Sequence, residues 1–263
     1  MSNLGLRIIF GAIYVAIMVL ATVAGSPYFG VLMALLTFLS LNEMANIAQK
    51  TSIQHLWLNP GVFAGVILYL TFVGAREMNI LAFLVLWILQ LGSLYFSYLE
   101  LKKHQKVNYV STTMYLFLPL IALAIWFMQN TAFNVNYVLF YFVTIWLYDS
   151  MAYVVGKQIG KNPIFPTVSP KKTIEGTAGG AIVTVVLMTV LNHYLFHLPV
   201  APYVIAVVIV FFATFGDFVE SYMKRKTGIK DSGNLIPGHG GILDRIDSIY
   251  LSAIPYIVIL LFL

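Results

Sequence analysis

Asp217, Glu220 and Ser221 stand at i, i+3 and i+4, the spacing that lines one face of a helix; Asp244 and Asp247 share a face of a second helix in the same way. Between the two groups lie Lys224, Arg225, Lys226, Lys230, Asp231 and a His239-Gly240-Gly241 turn. A hairpin that brings both helix ends to one surface sets carboxylates against carboxylates, and these repel unless a cation lies between them. Mg²⁺ is bound by one or two carboxylates together with substrate phosphate oxygens, and basic neighbours can hold the remaining phosphates. The pattern therefore points to chemistry on a polyphosphate. A salt-bridged interfacial loop is the plainer alternative. It accounts for the charges but not for the glycines or for acids on both helix ends.

Two upstream segments carry further polar groups. Asp149 lies within an apolar run, where an unpaired carboxylate costs a few kcal/mol or more. It reads either as a buried partner between helices or as one wall of a hydrated polar site. The string that follows it, GKQIGK, is not a Walker loop: Asn162 stands where that motif needs Ser or Thr. The next segment, 166–180, is expected to be a loop stiffened by Pro166 and Pro170. It presents Ser169, Lys171, Lys172 and Thr173, and Gly176, Gly179 and Gly180 lead into a helix. Backbone N–H groups at such a helix start favour anions. The lysine pair serves equally well to fix topology or touch anionic headgroups. The sequence has no HExxH motif and no cysteine, so neither a zinc site nor a thiol nucleophile is expected.

The elements that must position these groups are hydrophobic. Of 263 residues, 60% are hydrophobic and 10% charged, with a mean hydropathy of +0.88. Soluble domains are about 25% charged, so a water-soluble enzyme, a nucleic-acid-binding domain and a disordered chain are all excluded. An all-α polytopic membrane protein is the remaining class. Stretches of about 20 apolar residues suit a crossing, and nine are found, near 8–24, 28–48, 61–75, 79–99, 110–129, 135–155, 177–196, 201–220 and 246–263. With the N-terminus cytoplasmic and the C-terminus outside, Arg76 is the only one of 15 Lys and Arg residues on the outer side. The first stretch reads as a retained helix rather than a cleaved signal. Seven of the ten acids lie beyond residue 135. Residues 1–135 thus read as transmembrane scaffold and 136–263 as the catalytic region of one integral unit.

At its polar residues the chain resembles the phosphatidate cytidylyltransferase (CDP-diacylglycerol synthase) family. That family's pattern is met by Ser221, Lys224, Arg225, Lys230, Asp231, Gly233, Pro237, His239, Gly240, Gly241, Asp244, Arg245 and Asp247. The stretch from Asp149 to Gly180 resembles its Asp-Ser-x-Ala-Tyr and Ser-Pro-Lys-Lys-Thr-x-Glu-Gly segments, so the likeness covers the last 115 residues. The resemblance implies transfer of a cytidylyl group from CTP to phosphatidate at the cytoplasmic face of the cell membrane. It implies Mg²⁺, with a second metal ion as an option, held by Asp217 and Asp244. Lys224, Arg225, Lys230 and Arg245 would hold phosphates, and Asp231, His239 and Asp247 complete the implied catalytic set. Asp149, Ser169, Lys171, Lys172, Thr173, Glu175, Ser221, Gly240 and Gly241 are implied to bind substrate. Membrane lipids surround the protein, and a homodimer follows by analogy. Two other classes compete. A cation-coupled transporter also places acids in its spans but needs no long basic loop. A CTP-dependent polyprenol kinase shares the nucleotide and the membrane setting.

Overall fold

A computed structural model describes residues 3–51, 60–73, 78–104, 107–129, 134–236 and 240–263. Among these, nine α-helices follow one another: α1 (Asn3–Ala24), α2 (Ser26–Thr51), α3 (Pro60–Val73), α4 (Ile80–His104), α5 (Tyr109–Gln129), α6 (Asn134–Ile159), α7 (Ile174–Leu191), α8 (Pro202–Lys226) and α9 (Leu243–Phe262). Each expected crossing coincides with one of them. Seven helices, α2 and α4–α9, are long and apolar enough to cross a membrane. The chain is therefore a multi-pass α-helical membrane protein. Of the other two, α1 has 22 residues, of which Ile9–Ala24 form the described apolar stretch, and α3 is shorter. At ~1.5 Å per residue the 14 residues of α3 extend about 21 Å, short of a hydrocarbon layer of about 30 Å. Arg76, Pro237 and His239 lie outside the described residues.

The core sits around α5, which has 83% of its span buried, whereas α4 has 17%. Tyr115 on α5 meets Tyr250 on α9, and the Tyr141 ring of α6 stacks on Tyr256 at 4.7 Å. Two buried hydroxyls find partners across helices: Tyr250 donates to Ser40 Oγ at 2.6 Å and Tyr256 to the Tyr137 carbonyl at 2.7 Å. In an apolar surround such bonds fix one arrangement of otherwise interchangeable greasy surfaces.

Small residues let the helices of the polar region close on each other. A Cβ on Gly180 would lie 2.5 Å from the Ala152 backbone and one on Gly176 would lie 2.8 Å from Gly156 Cα, so α6 and α7 pack backbone to backbone. On α8, a Cβ at Gly216 would lie 2.6 Å from the Asp247 carbonyl. That contact sets Asp217 beside the first turns of α9.

Two expectations are corrected. Segment 166–180 is not an open loop: β1 (Pro163–Phe165) and β2 (Ser169–Thr173) pair antiparallel, with Pro163 opposite Thr173 and Phe165 opposite Ser169. A two-stranded ribbon has free edges, so Pro170 breaks no ladder it needs. The Thr173 hydroxyl then accepts from Gly176 N at 3.1 Å and caps α7, which starts at Ile174 rather than at 177. In the second case, α8 does not stop at 220 but runs to Lys226. Lys224 and Arg225 are thus helical residues of its last turn, where cations complement the helix dipole.

Candidate active site

Four parts of the chain converge on a polar cavity of about 310 Å³. Its wall comprises Asp149 from α6, Asp217 and Lys224 from α8, Asp231 from the α8–α9 connection, and Asp244, Arg245 and Asp247 from α9. The two acidic helix faces expected from spacing do face one another here. Lys224 is the cation between them: its Nζ lies 2.5 Å from Asp244 Oδ1 and 2.5 Å from Glu220 Oε2. Asp217 pairs with Lys172 of β2 and accepts from Ser221 Oγ at 3.3 Å. The hairpin therefore delivers a lysine to the acids, which is what its sequence position in a presumed loop did not reveal.

A second, larger cavity of about 510 Å³ shares Asp149 and Asp217 with the first. Its lining combines Lys157, Lys171, Lys172, Ser169 and Thr173 with Tyr148, Tyr153, Ala152 and Phe165. Burial pulls the Lys172 ammonium below its ordinary pKa, while Asp247 and Asp149 hold it up. A lining that joins lysines with aromatic rings suits an amphipathic ligand with an anionic head.

The remaining sequence candidates are not among the residues that line the two cavities. Glu175 accepts from the Lys161 and Asn162 amides at 3.0 and 3.1 Å and from Asn162 Nδ2 at 2.6 Å, tying α7 to the end of α6. Arg225 donates to the carbonyls of Val168 and Ile229, bracing the ribbon against α8. Lys230 is exposed. Gly240 has φ +87°, the left-handed region that glycine tolerates, and a Cβ there would also lie 2.5 Å from Asp244 Oδ2. Gly241 N donates to that same oxygen at 2.8 Å. The Gly-Gly pair thus lets the chain close on Asp244. Asp244 Oδ2 also accepts from Ser232 N and Ser232 Oγ at 3.0 and 3.1 Å.

The residue that sequence reasoning missed is Glu43 on α2, in the half read as scaffold. Its carboxylate is buried and accepts from Ser232 Oγ (2.9 Å), Ile242 N (2.9 Å) and Leu243 N (3.0 Å). The signal was present: an acid within the apolar run 28–48 is as costly as Asp149 in its own run.

The donors around the first cavity suit a hard divalent cation: five carboxylates against Lys224 and Arg245. Among the described residues no three His, Cys, Asp or Glu side chains gather closely enough to hold a metal. The protein's share of such a site would be one or two carboxylates, with water and phosphate oxygens completing it.

Residues 5–263 match the model described as the Cytidylyltransferase family. Curated relatives include three phosphatidate cytidylyltransferases. That of Bacillus subtilis is 44% identical over 133 residues, 49% of this chain and 48% of the relative. That of Staphylococcus epidermidis is 39% identical over 138 residues, 52% of this chain and 53% of the relative. That of Staphylococcus saprophyticus is 41% identical over 130 residues, 49% and 50% of the two. The alignments thus span about half the length of each curated relative.

Proposed function

The chain belongs to the cytidylyltransferase family, and from that premise we infer that it transfers a cytidylyl group from CTP to phosphatidate. A phosphate oxygen of phosphatidate attacks the α-phosphorus of CTP, the α–β phosphoanhydride bond breaks, and pyrophosphate leaves with that electron pair. CDP-diacylglycerol stays in the membrane. The nucleophile is already an anion, so neither a serine nor a cysteine is required. The task is to bring two polyanions together beside lipid.

The observation that carries this reading is the pair of cavities with a common wall. One is lined by five aspartates, and the other brings Lys157, Lys171 and Lys172 together with Tyr148, Tyr153 and Phe165. In this reading the lysines of the larger cavity hold the phosphatidate phosphate while its tyrosines and Phe165 meet the glycerol and proximal acyl carbons. Lys224 and Arg245 balance negative charge on the triphosphate. Asp217 and Asp244 would hold Mg²⁺, which supplies charge neutralisation to the phosphates when bound. The charge separation of the nine-crossing reading supports a cytoplasmic site, a cytoplasmic N-terminus and an outer C-terminus.

Two isotopic labels test the reaction. With purified protein, phosphatidate and Mg²⁺, CTP labelled at the α-phosphate should pass its label into extractable lipid. CTP labelled at the γ-phosphate should leave its label in water-soluble pyrophosphate. Label from the γ-position in lipid would instead mark a kinase.

A further inference from the structure

We propose that Glu43 is a positioning residue for nucleotidyl transfer, acting from α2 by holding Ser232, Gly241 and the entry to α9 so that Asp244 is set in the cavity wall with Asp217. The proposal rests on the cytidylyl-transfer reading.

Three consecutive amides lead into α9, and all three donate to carboxylates: Gly241 N to Asp244, and Ile242 N and Leu243 N to Glu43. No side chain of the Ile242 cap position caps the helix. The N-terminal amides of a helix lack partners within it. Here a residue about 200 positions earlier supplies the acceptor, with sequence separations of 199 and 200. Ser232 Oγ links the two acids, since it lies within hydrogen-bond distance of both Glu43 Oε2 and Asp244 Oδ2. Shape agrees with this bonding. A Cβ on Gly233 would lie 2.8 Å from Glu43 Oε1, and one on Gly241 would collide with Ser232 Oγ and Glu43 Oε2. Gly233 and Gly241 of the connection are thus fitted to the Glu43 side chain.

Glu43 does not line the acidic cavity. Its effect must pass through Ser232, Gly241 and the α9 start, which makes it a positioning residue and not a catalytic one. Its bonds occupy the Ile242 and Leu243 amides at the entry to α9.

The test is Glu43→Gln in the full chain, purified in detergent. Gln keeps the shape but offers one oxygen and an amide donor, so at least one of three donors loses its acceptor. Two measurements are made together: steady-state rates with CTP varied, and hydrogen exchange along the chain. We expect kcat to fall about tenfold or more, with KM for CTP changed by no more than about twofold. Exchange at amides 241–243 should accelerate while α5 and α6 keep the parent's protection. Parent-like kcat, or faster exchange spread evenly over all helices, would overturn the proposal. Should Glu43→Gln not survive purification, Ser232→Ala must show the same pattern at smaller amplitude, and parent-like kcat and exchange there overturn it as well. If the parent itself makes no CDP-diacylglycerol, the functional reading fails, and the exchange measurement alone decides whether Glu43 holds the connection.

Discussion

Removal of the Lys224 ammonium leaves Glu220 and Asp244 as two largely buried carboxylates with no cation between them. Breaking a buried ion pair from one side costs about 3 kcal/mol or more, so Lys224→Ala should lower the melting temperature in detergent as well as the turnover. Arg225→Ala, at an exposed site, removes two bonds to carbonyls and should cost about 1 kcal/mol. Equal melting temperatures for the two variants would contradict the ion-pair geometry. This contrast was not visible in sequence, where both residues read as one basic loop. Spacing did reveal Asp217 with Glu220, and Asp244 with Asp247, because residues three apart on a helix share a face whatever surrounds them. The acid of Glu43 within an apolar run was legible, but its partners were not, because they lie 189 to 200 residues away and no local pattern encodes such a contact.

Among the elements, the α8–α9 pair decides where the acids meet. Gly216 lets the two helices touch, and Gly216→Ala would place a methyl 2.6 Å from the Asp247 carbonyl. Overpacking of this kind costs roughly 1–3 kcal/mol. The variant should show a lower melting temperature together with reduced turnover per folded molecule, because the added methyl separates Asp217 from α9. A variant with parent stability and parent turnover would mean that the contact does not set the site. The helices themselves were legible from apolar run length. The β1–β2 ribbon was not, since Pro166 and Pro170 suggest a loop and a two-stranded pair leaves little periodic signal. The extra turn of α8 was also hidden, because a Lys-Arg-Lys run resembles the start of a solvated loop although it suits the end of a helix.

For the whole molecule, composition alone gave the class, and positive charge gave an orientation that labelling can check. The chain has no cysteine, so single substitutions report cleanly. Thr167 and Asn234 are exposed and belong to the proposed cytoplasmic face, whereas Ser232 is buried against Glu43 and Asp244 and makes a poor probe. Thr167→Cys and Asn234→Cys in intact cells should resist a membrane-impermeant maleimide and react after permeabilisation. Reaction of either from outside would reverse the topology and place both cavities on the wrong side for cytoplasmic CTP.

The most direct measurement of the central claim is the Mg²⁺ dependence of α-phosphate transfer from CTP to phosphatidate by the parent and by Asp217→Asn. The substitution removes a charge from the wall common to both cavities and nearly preserves shape. Asp244→Asn is the less clean choice, since Asp244 Oδ2 also holds Ser232 and Gly241. The account predicts that chelator abolishes the parent's lipid labelling and that added Mg²⁺ restores it. Asp217→Asn should elute from the sizing column as the parent does yet label lipid at least about 100-fold more slowly at every Mg²⁺ concentration. Near-parent labelling by Asp217→Asn, or full parent activity in excess chelator, would contradict it.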